Sequence, residues 1–205
     1  GTNCTAVGHN CLLTNTGSAN TGVGTNTLYS NTTGEGNVAM GYRALDSNTT
    51  GIHNTAIGSY CMDVNSTGQL NTAVGYEAME SNNGDSNQAF GRRALYVNTT
   101  GTENTALGYL ALDANTTGSY NTAVGVNALG ANTTSNENTA VGVSSALSCT
   151  TGAENTCVGH FAGGNLTTGS NNVFIGHNTG TQGESSSTNG SCVYIGEGAS
   201  GNNGA

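Results

Sequence analysis

Nine Asn-x-Ser/Thr triplets punctuate the chain, at Asn3, Asn31, Asn48, Asn65, Asn98, Asn115, Asn132, Asn165 and Asn189. In a secreted protein this triplet accepts N-linked sugar and marks surface loops. Six cysteines, Cys4, Cys11, Cys61, Cys149, Cys157 and Cys192, offer thiol and disulfide chemistry. Their even number and the Asn-rich composition suit an oxidising, extracellular setting. No Cys-x-x-Cys or paired Cys/His spacing suggests zinc. The four histidines, His9, His53, His160 and His177, read as exposed residues with no two placed to share a metal ion with a carboxylate. Carboxylates such as Glu77, Glu80 and Asp85 form no calcium ladder of the Gly-Gly-x-Gly-x-Asp kind. Serines are plentiful, yet no Gly-x-Ser-x-Gly elbow accompanies them. Catalysis, a metal and a cofactor are therefore not expected.

What positions these groups is a repeat. Copies of Asn-Thr-Ala-Val-Gly start at residues 4, 20, 37, 54, 71, 87, 104, 121, 138, 155, 172 and 192, mostly 17 residues apart. Twelve copies leave no room for a second domain, so residues 1–205 read as one repeat domain. A unit from Asn104 reads NTALGYLALDANTTGSY. Its fourth column (Val7, Val23, Met40, Ile57, Val74, Phe90 and onward) is apolar and is expected to face a core. The fifth is Gly throughout, as where the chain turns with positive φ or another backbone approaches. A second apolar column holds Leu12, Leu28, Leu45, Met62, Met79, Leu95, Leu112 and Leu129, then fades to Gly163 and Gly180. Asn-Thr-Thr-Gly corners follow, with the turn chemistry of Asn, Thr and Gly. Each unit thus reads as two short strands and two turns.

Gly and Asn-Thr-Thr-Gly interrupt any helix before it reaches the roughly 12 residues a helix needs. Stacked as coils, each strand pairs with its equivalents above and below. The expected fold is all-β, a rod-shaped parallel β-solenoid or β-roll of about twelve coils, rising about 4.8 Å per coil. Its core looks thin. The small column at Ala6, Gly22, Ala39, Ala56, Ala73 and Ala89 either fills a narrow interior or lets a neighbouring chain come close.

Charged residues are only 7% of the chain, with three arginines, no lysine and a net charge of -9. Binding to phosphate backbones lacks the cations it needs, so no nucleic acid partner is expected. No apolar run is long enough to span a membrane as a helix. The six sequons from Asn31 to Asn132 share one place in the unit, so sugars there would form a row along a solvent-facing edge; the same residues are also plain turn chemistry. Cys149 and Cys157 are close enough in sequence to bridge adjacent coils, and Cys4 with Cys11 is a local alternative. Buried free thiols are another. Cys4 and Cys192 lie eleven coils apart, about 53 Å at 4.8 Å per coil. Placing Gly1 after Ala205 continues the 17-residue register, which would set these two within the roughly 4.4 to 6.8 Å Cα window for an intersubunit disulfide.

The strings NTAVGYEAM, NTALGYLAL and NTAVGVNAL resemble the Asn-Thr-Ala-Val/Ile-Gly repeats of tail-fibre-domain proteins of phages and bacteria. More distantly they are similar to the head repeats of YadA-type trimeric autotransporter adhesins, whose repeats are shorter. The resemblance covers essentially the whole chain. It implies a fibrous protein on a cell or virion surface, a left-handed parallel β-roll and, frequently, trimers.

The expected role is therefore a structural subunit of an extracellular, glycosylated filament, with copies of itself and glycans as partners, built by head-to-tail stacking. The alternative is a trimeric tail-fibre or adhesin shaft that presents a binding tip. A lesser one is ice binding, from the column Thr5, Thr21, Thr55, Thr72, Thr105, Thr122, Thr139 and Thr156, although Val38, Gln88, Val173 and Val193 interrupt it.

Overall fold

The computed structural model describes residues 1–180 and 190–200. Twelve three-residue strands run along it: β1 Thr5–Val7, β2 Thr21–Val23, β3 Val38–Met40, β4 Thr55–Ile57, β5 Thr72–Val74, β6 Gln88–Phe90, β7 Thr105–Leu107, β8 Thr122–Val124, β9 Thr139–Val141, β10 Thr156–Val158, β11 Val173–Ile175 and β12 Val193–Ile195. They form one sheet in chain order, every neighbouring pair parallel. Register follows the repeat, with Ala56 opposite Ala73 and Ala73 opposite Ala89. The chain is a parallel β-solenoid, with no helix among the described residues.

Only one of the two expected strands forms in each coil. The Ala-Leu segment is instead a run of turns, because its large apolar residue is left-handed: φ is 50° at Leu28, 52° at Leu45 and 51° at Leu112. Around the coil that begins at Asn121, left-handed geometry recurs at Tyr120 (φ 60°), Gly125 (137°), Asn127 (54°) and Leu129 (51°). These bends close the coil. Each non-glycine residue held there costs about 1 to 2 kcal/mol, and the adjoining coils hold it in place. Leu129 donates its N–H to the Ser145 carbonyl at 3.0 Å, and Asn127 donates to that of Tyr109, also at 3.0 Å. The invariant glycine is required on two counts. At Gly108 φ is 144°, and an added Cβ would lie 2.6 Å from the carbonyl carbon of Gly125 on the next coil.

The fourth column does not face the core. A three-residue strand flanked by bends points only its middle residue inward, so Ala39, Ala56, Ala73, Ala89, Ala106, Ala123 and Ala140 are buried while Met40, Ile57, Phe90, Leu107 and Val141 stand on the outside. The Ala column fills a narrow interior together with Leu28, Leu45, Met62, Met79, Leu95, Leu112 and Leu129. Towards the C-terminal coils the two columns exchange bulk. Phe174 takes the Ala position and is fully buried, and the Leu positions become Gly163 and Gly180. A Cβ at Gly163 would lie 3.1 Å from Phe174 Cδ2, and one at Gly180 would run into the same ring.

The rest of the interior is polar. Two buried files of asparagine run along the rod, one at the first residue of the units from Asn20 to Asn172 and one at the corner position from Asn31 to Asn132. In the first, Asn121 Oδ1 accepts the backbone N–H of Asn138 at 3.0 Å. Its Nδ2 donates to Asn104 Oδ1 at 3.2 Å and to the Ser135 carbonyl at 2.8 Å. In the second, Asn115 Nδ2 donates to Asn98 Oδ1 at 2.8 Å and to the Gly118 carbonyl at 2.9 Å. The amides are thereby bonded within their own coil and to a neighbouring one, as burial of a polar group demands, although Asn65 Oδ1 is left without a partner.

Candidate interaction face

Six of the predicted sugar acceptors belong to the second file. Asn31, Asn48, Asn65, Asn98, Asn115 and Asn132 are fully buried, and each spends its Nδ2, the atom a glycan would occupy, inside the rod. The solvent-facing row of N-linked sugars is therefore corrected: the corner turns, but its asparagine turns inward to feed the ladder. Asn3 and Asn165 are exposed, and Asn189 lies outside the described residues. What faces solvent at these corners is threonine. The first Thr hydroxyl bonds the next coil, as Thr116 Oγ1 does with the Thr133 carbonyl at 2.9 Å. The second, at Thr33, Thr50, Thr67, Thr100, Thr117, Thr134, Thr151 and Thr168, is exposed.

No disulfide forms within the chain, whose six cysteines are all free thiols; the intersubunit Cys4–Cys192 pairing involves a second copy. Cys149 and Cys157 lie on different interior lines. Cys149 takes an Asn position in the corner file and donates Sγ–H to the Gly152 carbonyl at 3.3 Å, while Cys157 takes the Ala position of β10. Burial pushes the Cys61 and Cys157 thiols up to about 12 and that of Cys149 to about 11. Cys4 and Cys192 are half-buried at the first position of their units, beside β1 and β12, where the other coils carry Asn.

Outward, the sheet presents two columns over twelve rungs: Thr5, Thr21, Val38 and their equivalents, and Val7, Val23, Met40 and theirs. Neither column contains a charged residue. The larger side chains are well exposed, Leu107 at 47% and Met40 at 49%. Alongside runs the residue after the glycine, where Tyr42, Tyr76, Tyr109, Val126 and Val143 are exposed too. Twelve rungs at about 4.8 Å and three residues at about 3.3 Å make the strand face roughly 500 Å², or about 800 Å² with the flanking column. Only part of this area is apolar, because the first column is mostly threonine and most of the middle residues are buried.

No family model, curated protein or solved structure matches this chain. The face must therefore be judged on its own chemistry. It is long and in register, its two strand columns pair threonine with apolar residues and carry no charge, and no pocket opens among the described residues. Charge enters at the flanking column, which holds Arg92 and Glu197, and lies otherwise beyond the rim. Arg43 bridges Asp46 at 3.0 Å and Asp63 at 3.3 Å. Arg92 lies over the rings of Tyr76 and Tyr109, at 5.9 and 5.5 Å, and Arg93 pairs with Glu77 at 3.3 Å while covering Tyr96 at 4.0 Å. Asp63 is buried with its Oδ1 unbonded. Desolvation raises its carboxyl to about 6 against the opposing pull of Arg43, with Asp46 and Glu80 on the adjacent coils adding to the rise.

Two of the histidines stand beside each other and a carboxylate, although no three ligating side chains are grouped to hold a metal ion among the described residues. His160, His177 and Glu197 occupy one column on three successive coils. The two imidazoles stack with centroids 5.1 Å apart, and His177 Nδ1 lies 3.6 Å from Glu197 Oε1. The signal was present in the sequence as the 17-residue interval from His160 to His177.

Proposed function

We propose that the chain is a structural subunit of an extracellular filament, a rod that packs its sheet face against copies of itself and extends by end-to-end stacking. The observation that carries this reading is the uncharged apolar column that runs over twelve rungs, exposed on nine of them and half-buried at Val23, Val74 and Val124. A face of about 800 Å² is what each partner contributes to a standard interface, and a ladder of period about 4.8 Å is matched over its whole length only by another ladder of that period. Stacking is supported by the sheet order: among the described residues β1 and β12 are the edge strands, and edge strands offer unpaired N–H and C=O groups to a further strand. In this reading sugars are borne by the exposed threonines and by Asn3 and Asn165, not by the ladder asparagines.

The trimeric shaft remains the second reading, favoured by the same face, since three rods can bury it around an axis. The mixed sizes of Met40, Phe90 and Leu107 disfavour a flat ice-binding plane. Electron microscopy with analytical ultracentrifugation tests the proposal on the wild-type chain and on a Val124→Lys, Val141→Lys variant. Filaments or bundles lost in the variant are expected. A monomeric wild-type rod at high concentration would refute self-association, and discrete trimers would select the shaft.

A further inference from the structure

We infer that His160, His177 and Glu197 form a binding site for a divalent transition-metal ion, Zn²⁺ being the probe of choice. Two imidazole nitrogens and one carboxylate oxygen are a ligand set that zinc takes readily, a water completing the tetrahedron. Parallel coils set neighbouring side chains of one column about 4.8 Å apart, close enough for flanking residues to lean towards the middle one. His177 is that middle ligand, with His160 one coil below and Glu197 one coil above. In the rotamers present the three groups do not converge on one point. The spacing nevertheless needs little adjustment, because the imidazoles are 5.1 Å apart at their centroids and the carboxylate is already 3.6 Å from Nδ1. Movement is unhindered: the side chains of His177 and Glu197 are 51% and 83% exposed, so side-chain rotation repacks nothing in the core.

Elsewhere in this column the coils carry Tyr, Thr, Ser, Arg or Val and, alone on the first coil, His9. Another run of three ligating side chains on successive coils, Asp46, Asp63 and Glu80, is all carboxylate, and Arg43 engages its first two members; His160, His177 and Glu197 bring two imidazoles to one carboxylate. The backbone beneath is held by the same inter-coil bonds as the other coils: Asn178 donates its N–H to the His160 carbonyl at 3.0 Å, and Gly198 to the His177 carbonyl at 3.0 Å. The ligands are thus mounted on a rigid base, which reduces the ordering penalty of binding. Neutral imidazole is the ligating form, so affinity should fall in acid.

The experiment is a titration of the full chain with zinc chloride, followed by the ring ¹⁵N and ¹H signals of the four histidines. The expected result is a one-equivalent shift of His160 and His177, with His9 and His53 unmoved, weakened at least tenfold in His177→Asn and reduced in Glu197→Gln. Free thiols are a competing sink, so the titration is repeated after alkylation of accessible cysteines and should be unchanged. Shifts that vanish on alkylation, one-equivalent zinc uptake that persists by calorimetry in an alkylated His160→Asn, His177→Asn variant, or no shift at millimolar zinc would each overturn the site. The variants change exposed side chains, and their unaltered spectra elsewhere would show that the rod is still folded. The site does not depend on fibre assembly, which is read by microscopy in a separate experiment.

Discussion

Replacing Asn121 by alanine tests whether the polar files hold the rod together. The change removes one acceptor and two donations: from the Asn138 N–H at 3.0 Å, to Asn104 Oδ1 at 3.2 Å and to the Ser135 carbonyl at 2.8 Å. An intramolecular hydrogen bond is worth about 0.5 to 1.5 kcal/mol net, and a buried group left without a partner costs about 1 to 3 kcal/mol. Not every stranded partner loses its last bond, so the sum falls near 3 to 5 kcal/mol, at the top of the range for single substitutions. Because coils interact only with their neighbours, unfolding need not be all-or-none, and a single midpoint can hide local damage. Native-state hydrogen exchange is the better assay. Protection of the Thr122 and Thr139 amides, which donate to the Asn138 and Asn155 carbonyls, should drop by two orders of magnitude or more, while that of β2 and β3 stays unchanged. A loss below about 1 kcal/mol, comparable with an ordinary surface change, would show that the files are passengers of the backbone ladder.

Three further outcomes are expected. Asp63 has a raised folded-state pKa, so the stability it contributes is fully present below the unfolded value of about 3.9 and is lost as pH rises through about 6; urea midpoints should show Asp63→Asn gaining on wild type at pH 7 and not at pH 3. At Leu112, alanine should cost about 2 to 5 kcal/mol through the cavity, but glycine should cost no more than alanine, reversing their usual order, because φ there is 51°; thermal melts of the pair check it. Gly180→Leu should destabilise by collision with Phe174, and Phe174→Ala in the same chain should recover part of the loss, a coupling that a double-mutant cycle would measure.

The period was fully legible, and with it the parallel stacking, since units near 17 residues with glycine and Asn-Thr-Thr-Gly stops admit little else. Which way each column faces was not. Size and hydrophobicity point Val124 inward and leave Ala123 ambiguous, yet the interior is so narrow that the small residue goes in and the large one out. Leu129 misled for a different reason: leucine seldom adopts φ near 51°, and only bonds from adjoining coils make that geometry tenable, so nothing local announced a bend. Asn115 carries two compatible meanings, turn residue and buried amide, and composition cannot separate them. The His160, His177 and Glu197 column was within reach of simple arithmetic, since neighbours in a solenoid are a repeat apart and need not be adjacent in sequence.

The inter-coil hydrogen bonds lie along the rod, and this bears on how it would respond to tension. A pull at both ends loads the coils in series, so the weakest yields first while the others keep their form. One released coil of 17 residues can extend to about 58 Å, at about 3.4 Å per residue, where folded it occupied about 4.8 Å. A thread of such units would lengthen roughly twelvefold coil by coil before any covalent bond is strained, giving a stepped force curve in place of brittle fracture.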